Sequence, residues 1–307
     1  MIGFADALEE LAPDLLLVLG DRFEIMSGVA AAMVARVPVA HLQGGELSEG
    51  AIDEAIRHSI TKMSQVHLVA TEVYRRRVVQ LGEHPDTVHL VGGPSLDNIC
   101  RLEFLDRGAL EESLDFRFGS RNLLVTFHPV TLEAATAATQ MEELLVALDD
   151  LENTHLVFTM SNADTDGRVL SDLIKTFIAG RPQHRAYTSL GQLLYLSMVA
   201  QVDAVVGNSS SGLTEVPSLG VGTVNIGDRQ RGRLKAESVV DCDPDRVSIA
   251  AALAHIRTGK FRQVLTSSSN PYDPYGDGET SRRVVEVLRS VDLDDVLKKR
   301  FYDLPVA

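Results

Sequence analysis

The chain has 307 residues, 45% of them hydrophobic and 23% charged, and its formal net charge is −14. This composition is typical of a globular protein with a sizeable core, and an acidic chain gains nothing from counterion release at a phosphate backbone, which argues against a nucleic-acid partner. The chain contains only two cysteines, in unrelated contexts, and no apolar run long enough to cross a bilayer. We therefore expect free thiols, a cytoplasmic protein and no membrane partner.

Short apolar strands alternate with amphipathic helical segments from the start of the chain. The predicted strands of the first part are Asp14–Gly20, Val37–Leu42, Val66–Ala70 and Thr87–Val91, and the predicted helices are Phe23–Ala35, Ala51–Met63, Glu72–Leu81 and Leu96–Leu102. Residues Met1–Leu11 predict a helix that has no strand before it. We therefore expect the first domain to be truncated at its N-terminus.

A second series follows a charged segment between Arg101 and Arg121. Its predicted strands are Leu123–His128, His155–Thr159, Arg185–Tyr187, Asp203–Gly207 and Val221–Ile226, and its predicted helices are Leu132–Leu151, Gly167–Ala179, Leu190–Ala200, Gly212–Leu219, Asp245–Ile256 and Ser281–Arg300. Continuous apolar strands indicate parallel sheets covered by helices on both faces. The predicted fold class is α/β, with two Rossmann-like parallel-sheet domains facing a cleft. They comprise residues 1–118 and 119–280, and a C-terminal helix over 281–307 packs back on the first domain.

Polar residues cluster directly after the first two predicted strands. The segments GDRFE, which begins at Gly20, and HLQGGELSEGAIDEAIRHSITK, from His41 to Lys62, each start where a strand ends. Because polar groups past the carboxyl ends of buried parallel strands form the usual active site of open α/β sheets, this stretch is the leading candidate for chemistry.

Two pairs with i,i+4 spacing lie on the helix predicted next. Asp53 and Arg57 form a helix ion pair by default, and the functional alternative is that Asp53, in the first turn, acts as a base. Glu54 and His58 have the spacing of two metal ligands. Since the sequence shows neither an HExxH pattern nor an evident third ligand, we expect no metal.

A further polar cluster, GNSSSGLTEVPSLG from Gly207 to Gly220, also follows a predicted strand. Glycine and serine at a strand-to-helix turn present free backbone amides, and Ser209 and Ser210 add hydroxyl donors, so the turn favours an anion. Glu215 is placed to accept hydrogen bonds from neutral hydroxyls such as a ribose diol. The alternative is a serine-capped helix start with no ligand.

Two more polar groups follow strands of the second domain. Arg229, Arg231 and Arg233 carry the guanidinium fork that matches phosphate oxygens, although such a cluster also fits a solvated loop. His128 ends an apolar strand, where a histidine can neutralise a leaving phosphate or transfer a proton. Its alternative is a structural histidine bound to backbone groups.

The motifs of the whole chain are GDRFE, HLQGGELSEGAIDEAIRHSITKMS, FHPVT, SNADTDG, GNSSSGLTEVPSLG, NIGDRQRGR and YGDGETSRRVVEVLRSVDL. Together they resemble the hydrolysing, NeuC-type UDP-N-acetylglucosamine 2-epimerases, from about Leu11 to the C-terminus. The resemblance implies a glycosyltransferase-B-like (GT-B-like) fold with a UDP-sugar in the cleft, a homodimer or homotetramer, and no cofactor. It also implies anti elimination of UDP to 2-acetamidoglucal and hydration to N-acetylmannosamine, a precursor of sialic acid-type sugars.

The resemblance also implies roles for individual residues. The family's catalytic positions match Asp21, Asp53 and His128, and the motif residue Glu46 is added to them. The family's UDP-binding positions match Arg22, His128, Asn162, Ser209, Ser210, Glu215 and Arg229. The first domain would then carry the acid–base residues that face the sugar, and the second domain would bind UDP.

Two departures from the family pattern leave alternatives open. Gln43 stands where many members carry a glutamate, and some relatives with a non-acidic residue there resemble enzymes for UDP-N,N′-diacetylbacillosamine in the legionaminic acid pathway. In addition, no GTRA-like turn, whose arginine helps to hold UDP in the family, precedes Asp14. The alternatives are the same reaction on the diacetylbacillosamine nucleotide, a catalytically impaired sugar-nucleotide binding protein and, from architecture alone, a GT-B glycosyltransferase.

Overall fold

The computed structural model of the chain describes residues 1–47, 52–129, 137–160 and 165–305. The polypeptide divides into two compact units: unit 1 consists of Met1–Asp97 and Tyr272–Ala307, and unit 2 of Asn98–Pro271. Each unit is built around one parallel sheet with helices packed against it. The predicted α/β class with two parallel sheets is confirmed.

Unit 1 contains a 4-stranded parallel sheet with its strands in chain order, β1-β2-β3-β4. The strands are β1 Leu16–Leu19, β2 Val39–Leu42, β3 Val66–Val69 and β4 Val88–Leu90. The helices of this part are α1 Ile2–Leu11, α2 Phe23–Ala35, α3 Ile52–Met63, α4 Glu72–Gln80 and, at the boundary with unit 2, α5 Asp97–Arg101. All residues of β2 and β3 are buried, which explains why the two strands are largely apolar in sequence.

The C-terminal segment of the chain returns to unit 1. Helix α13, Thr280–Ser290, places Val284 in an apolar cluster with side chains of β2 and β3. The carboxylate of Asp97 accepts hydrogen bonds from the backbone amides of Thr280 and Ser281, at 2.8 and 2.7 Å. A carboxylate at a helix N-terminus satisfies free amides and matches the helix dipole, so this contact determines where the returning helix begins.

The tail beyond α13 is anchored by one buried carboxylate, that of Glu83. Lys299 and Lys62 each donate to Glu83 at 2.6 Å, and His67 contacts it at 2.9 Å. Burial by itself would raise the pKa of Glu83, but the hydrogen bonds from His67, Lys299 and Lys62 lower it to about 2. Because Lys299 is one of two ammonium groups that compensate this buried charge, its contact holds the tail on unit 1.

Unit 2 contains a 6-stranded parallel sheet with the order β10-β9-β8-β5-β6-β7. The strands are β5 Arg121–Thr126, β6 Thr154–Thr159, β7 Arg185–Tyr187, β8 Ala204–Gly207, β9 Gly222–Ile226 and β10 Val239–Cys242. The helices are α6 Arg107–Leu114, α7 Ala137–Asp149, α8 Thr165–Ile178, α9 Gly191–Val199, α10 Ser211–Thr214, α11 Arg246–Ile256 and α12 Gly259–Ser267. The chain runs from β5 outward to β7, returns to β8 on the other side of β5, and continues to β10. The strand order therefore reverses between β5 and β8.

Apolar clusters cover both faces of the unit 2 sheet. Along β5, Leu123 and Val125 belong to one cluster, with α7, α8 and α11, whereas Leu124 belongs to the other, with α6 and α9. With both faces covered, polar side chains can gather at the ends of the strands. Within the described ranges, no helix is both long enough and apolar enough to cross a membrane.

The division between the units lies earlier in the chain than the sequence pattern predicts. The predicted first domain ends at residue 118, whereas the structure assigns Asn98 and the residues after it to unit 2. The charged segment contains α6, whose Leu110 and Leu114 are buried beside Phe116. Two leucines among many charged residues give too sparse a pattern to predict a helix, although they are enough to bury one face.

The C-terminal part also differs from the prediction. Strand β10 and helix α12 are additional elements, the last helix ends at Ser290 and not at Arg300, and unit 1 resumes at Tyr272 and not at residue 281. The Tyr272 hydroxyl lies 3.0 Å from that of Tyr74, and the Tyr272 carbonyl accepts from the Gly93 amide at 2.9 Å. These contacts join residues far apart in the chain, and local periodicity carries no information about them.

Gly207, at the end of β8, should be intolerant of any side chain. Its φ is 136°, and a Cβ there would lie 1.9 Å from the carbonyl oxygen of Thr126 in β5. We expect Gly207→Ala to lower the free energy of unfolding by about 3 kcal/mol or more, because the clash is with backbone that cannot rotate away. Gly180→Ala is the matched control: φ is also positive, but nothing lies within 4 Å, so the loss should be about 1 kcal/mol. Urea unfolding measures both, and equal losses would contradict the close approach.

Candidate active site

The polar residues of unit 1 lie at the carboxyl edge of its sheet. Strands β1 and β2 end side by side, with Leu19 in register with Leu42 and the Gly20 amide donating to the Leu42 carbonyl at 3.1 Å. Asp21 begins the loop after β1, and Glu46 lies in the turn after β2. The sheet thereby brings together two polar segments that are separated in sequence by the whole of α2.

An ion pair between Asp21 and Arg57 joins two elements at this edge. The guanidinium of Arg57 reaches from α3 to the Asp21 carboxylate, and the Arg57 side chain is only 4% exposed. The i,i+4 spacing predicts Asp53 as the partner of Arg57, whereas Asp21 becomes a partner only through the tertiary fold. Removing one member of a buried ion pair costs about 3–5 kcal/mol, so the pair holds Asp21 firmly in place.

His41 is fully buried in β2 and supports the same loop. Its Nε2 lies 2.9 Å from the Gly20 carbonyl oxygen, and its Nδ1 lies 3.2 Å from the Thr61 hydroxyl. Burial lowers the pKa of His41 to about 4, because the hydrogen bond to Gly20 offsets only part of the desolvation. The ring is therefore neutral near pH 7 and donates through Nε2. It holds the carbonyl that precedes Asp21.

The turn from Gln43 to Glu46 has a constrained backbone. Gln43 has a φ of 66°, which a non-glycine residue holds only where its surroundings enforce it. A Cβ on Gly45 would lie 2.6 Å from the Tyr74 carbonyl oxygen, so glycine is needed for the turn to touch α4. Arg77 of α4 donates to the Gly45 carbonyl. These contacts fix the position of Glu46, which is 5% exposed.

The first turn of α3 carries Asp53, which is half-buried. The helix dipole stabilises a carboxylate at this position. Beside it, Glu54 and His58 make the predicted i,i+4 contact, with Oε1 and Nε2 3.2 Å apart. In the described parts of the chain, no group of three or more His, Cys, Asp or Glu side chains is placed to hold a metal ion. The contact between Glu54 and His58 is a side-chain pair on one helix.

The polar residues of unit 2 gather where its strand order reverses. His128 follows β5, and Asn208 follows β8, at the carboxyl ends of neighbouring strands. In open α/β sheets, ligands bind outside the carboxyl ends of the strands at such a reversal. The Asn208 Oδ1 accepts from the His128 amide at 2.7 Å, and its Nδ2 donates to the His128 carbonyl at 2.8 Å. The carboxamide therefore ties the two loops together.

A third loop meets the same residue. Arg229 and Gln230 follow β9, and both donate to the backbone carbonyl of Asn208, at 3.0 and 2.8 Å. Gln230 is buried and Arg229 is exposed. The guanidinium of Arg229 is thus held beside the reversal while it stays accessible to solvent, as a residue that binds a phosphate group must.

The Gly/Ser segment after β8 forms a shorter helix than predicted. The predicted helix Gly212–Leu219 is broken into α10 and a 3-10 turn at Val216–Leu219. Ser210 is the N-cap residue of α10, but its side chain makes no cap hydrogen bond. The Ser209 hydroxyl accepts from the Ser211 amide at 3.4 Å. The alternative interpretation, that these serines cap the helix and bind no ligand, therefore does not account for the side chain of Ser210.

Glu215 lies one helical turn after Ser211, and its backbone amide donates to the Ser211 carbonyl at 2.9 Å. The Tyr195 hydroxyl donates to the Ser211 hydroxyl, also at 2.9 Å. Burial raises the pKa of Tyr195 to about 12, so this phenol stays protonated and acts as the donor. Burial also raises the pKa of Glu215, and the Ser211 hydrogen bond offsets only part of that rise.

The two other residues predicted to bind UDP are Arg22 and Asn162. Arg22 belongs to unit 1, where it is the N-cap residue of α2, and its side chain is 72% exposed and lies 3.5 Å from Glu24. Asn162 lies outside the described residues. Sequence analysis missed Asn208 and Gln230 as residues of the site. For Asn208, the available signal was its position directly after a predicted strand. Its partner His128 lies 80 positions away in the chain, so the sequence did not show that the two residues meet.

Two Rossmann-like parallel sheets with polar residues at their carboxyl edges define a GT-B-like α/β protein. The crystal structure of the UDP-GlcNAc 2-epimerase from Neisseria meningitidis bound to UDP-GlcNAc has the same fold. The match has a TM-score of 0.82 and 19% identity, and it covers 94% of this chain and 80% of that chain.

Sequence comparison defines the family. The family model described as UDP-N-acetylglucosamine 2-epimerase matches residues 1–289. The polysialic acid biosynthesis protein P7 of Escherichia coli is 39% identical over 308 residues, which are 99% of this chain and 77% of that protein. The GDP/UDP-N,N′-diacetylbacillosamine 2-epimerase (hydrolyzing) of Campylobacter jejuni is 37% identical over 304 residues, which are 98% of this chain and 78% of that protein. The chain therefore belongs to the UDP-N-acetylglucosamine 2-epimerase family and is a UDP-sugar 2-epimerase.

The buried, neutral His41 predicts a pH-dependent stability. Its pKa is about 4 in the folded chain and 6.5 for a free histidine, so the unfolded chain takes up the proton first as the pH falls. The stabilisation is complete above about pH 6.5, and about 3 kcal/mol of it is lost on acidification to about pH 4. His41→Gln should be less stable than the wild type at neutral pH but should lose less stability on acidification. Urea unfolding at both pH values measures this, and an equal loss in the two proteins would contradict it.

Proposed function

We propose that this protein is a hydrolysing 2-epimerase that converts UDP-N-acetylglucosamine into N-acetylmannosamine and UDP. The observation that carries the proposal is the separation of chemical groups between the two sheet edges. Carboxylates lie at the carboxyl edge in unit 1, and cationic and hydroxyl groups lie at the strand reversal in unit 2. The first set has the chemistry to move protons, and the second has the chemistry to bind a diphosphate.

The first step eliminates UDP. A carboxylate takes the proton from C2 of the sugar, the C–H electron pair forms the C1=C2 double bond, and the C1–O bond breaks with its electron pair leaving on UDP. The product is 2-acetamidoglucal. We assign the base to Asp53. The Asp21 carboxylate is already engaged in an ion pair with the buried Arg57. Asp21 instead acts as an oriented charge at the reacting sugar.

Departure of UDP requires compensation of its negative charge. We assign this role to His128 and Arg229, which are both tied to Asn208. The further UDP-binding residues of the proposal are Arg22, Asn162, Ser209, Ser210 and Glu215. Donors positioned where charge develops lower the barrier for a leaving anion. Glu215 differs from the others, since a carboxylate accepts hydrogen bonds and therefore matches the hydroxyls of the ribose.

The second step hydrates the glycal. Water adds its hydroxyl to C1, and a proton reaches C2 on the face opposite to the one that lost it, which inverts that carbon. We assign the acid to Glu46, which is buried in the constrained turn after β2. The two steps together consume one water and involve no net oxidation or reduction, so the proposed reaction needs no redox cofactor.

A second substrate, UDP-N,N′-diacetylbacillosamine, has specific support. The Campylobacter jejuni relative is named for a diacetylbacillosamine nucleotide. In this chain Gln43 occupies the turn that leads to Glu46. A carboxamide both donates and accepts hydrogen bonds, so it can pair with a second acetamido group without placing a charge beside it. The diacetylated nucleotide is therefore the alternative substrate.

The cellular setting belongs to the same proposal. We propose a cytoplasmic enzyme that supplies an amino sugar for sialic acid-type biosynthesis and acts as a homodimer or homotetramer. Support for the pathway comes from the Escherichia coli relative, which is named for polysialic acid biosynthesis.

Turnover in D₂O tests the reaction directly. The protein is incubated separately with UDP-N-acetylglucosamine and with the diacetylbacillosamine nucleotide, and NMR follows UDP release and deuterium at C2. We expect the free 2-epimer, deuterated at C2, from at least one substrate, and the faster substrate is the true one. UDP binding without turnover would point to an impaired binding protein. Absence of UDP binding would remove the whole proposal.

Asp53→Asn should abolish proton abstraction and preserve nucleotide binding. We expect kcat to fall by about 10²–10⁴-fold, since a carboxamide cannot accept the C2 proton, and the Kd for UDP to change by less than about threefold. Glu54→Gln, at the neighbouring position of the same helical turn, is the matched control and should keep most of the activity. Wild-type deuteration in Asp53→Asn would remove Asp53 from the mechanism.

A further inference from the structure

We propose that Asn208 is a positioning residue for UDP, because it fixes the His128 loop and the Arg229 guanidinium relative to each other. The inference rests on the proposed function for the identity of the ligand. Asn208 is 1% exposed and makes its contacts through both its side chain and its backbone.

The side chain of Asn208 binds the backbone of His128 at two points. Oδ1 accepts from the His128 amide at 2.7 Å, and Nδ2 donates to the His128 carbonyl at 2.8 Å. A carboxamide offers an acceptor and a donor side by side at this length, whatever the pH, whereas a carboxyl group of the same shape offers a donor only when it is protonated. The pair of bonds fixes both the distance and the orientation of the His128 peptide, and hence the origin of its imidazole side chain.

The backbone of Asn208 makes the remaining contacts. Its amide donates to the Thr126 carbonyl at 3.1 Å, across the close approach of β8 to β5 that Gly207 permits. Its carbonyl accepts from Arg229 at 3.0 Å and from Gln230 at 2.8 Å. One residue therefore ties the loops after β5, β8 and β9 together.

This arrangement makes the position of His128 relative to Arg229 depend on the Asn208 side chain. If the carboxamide is lost, the His128 peptide loses the two hydrogen bonds that the Asn208 side chain makes to it, whereas Arg229 still meets the backbone carbonyl of residue 208. His128 then shifts relative to Arg229. A displacement of about 1 Å in a binding or catalytic group can cost roughly 10²-fold in rate, so this effect is measurable.

The chain contains a matched internal control at the other end of β5. The Asn122 carboxamide binds the backbone of Gly119 in the same way: Oδ1 accepts from the Gly119 amide at 2.8 Å, and Nδ2 donates to the Gly119 carbonyl at 3.2 Å. Asn122 is also buried, at 4% exposure, but it lies at the amino end of the strand. Substitutions at Asn122 therefore reproduce the structural loss without touching the proposed UDP site.

The test replaces the carboxamide by a carboxyl group, which has the same shape but donates a hydrogen bond only when it is protonated. In Asn208→Asp, the introduced carboxylate faces the His128 carbonyl and cannot donate to it. Burial and this contact raise the pKa of the introduced group, so acidification restores an O–H donor. Calorimetry with UDP should show an affinity about tenfold below wild type at about pH 8, recovering to within about threefold at about pH 5.5. Each value is compared with the wild type at the same pH.

The controls separate positioning from a general loss of stability. Asn208→Ala should lose affinity at both pH values without recovery, and Asn122→Asp should bind UDP as the wild type does at both. The proposal is overturned if Asn208→Asp binds UDP like the wild type at both pH values, if its deficit is independent of pH, or if Asn122→Asp shows the same deficit.

Hydrogen exchange at the His128 amide distinguishes this proposal from the proposed function. If the wild type binds no UDP, the proposed function fails, and the role of Asn208 is then decided by exchange alone. Asn208→Ala should speed exchange of the His128 amide by about tenfold or more, because its acceptor is lost, whereas Asn122→Ala should not. Equal exchange rates in the wild type and Asn208→Ala would overturn the positioning role.

Discussion

The close approach of β8 to β5 in unit 2 is the constraint on which the candidate nucleotide site depends. At Gly207 the backbone of β8 comes so near to Thr126 that no side chain fits between them. This approach places Asn208 within hydrogen-bond distance of the His128 backbone, at the point where the strand order reverses. The loop after β9 then joins through Arg229 and Gln230. The absence of a side chain at Gly207 thus allows the loops after β5, β8 and β9 to meet. The proposed contacts with the diphosphate depend on this arrangement of the three loops.

Unit 1 organises its edge by charge and by burial. Arg57 is buried and requires a negative partner, since an uncompensated charge in the interior is costly. Asp21 supplies that charge from the loop after β1. His41, kept neutral by burial, holds the preceding carbonyl. The ion pair with Arg57 distinguishes Asp21 from Asp53, and this distinction underlies the proposed assignment of the base to Asp53.

The two edges differ in how they are built, although both lie at the carboxyl ends of parallel strands. In unit 1, the edge is held by an ion pair, a neutral histidine and a turn that is fastened to α4 through Gly45 and Arg77. In unit 2, it is held by neutral carboxamides and backbone contacts. Acid–base work requires carboxylates whose environments differ, whereas anion binding requires donors with fixed directions. Each edge therefore has the kind of support that its proposed chemistry requires.

The sequence by itself determined the α/β class, the positions of most strands and the family, because these depend on local periodicity and on the order of motifs along the chain. Ser210, Arg229 and Asp53 could all be named from it. Only the tertiary structure decided that Arg57 pairs with Asp21, that Asn208 binds the His128 backbone, and that the segment with Leu110 and Leu114 belongs to unit 2. The physical reason is that each of these contacts is set by which strands are neighbours in the sheet. Strands β5 and β8 are adjacent although 80 residues separate His128 from Asn208, and periodicity within a strand or a helix does not specify that adjacency.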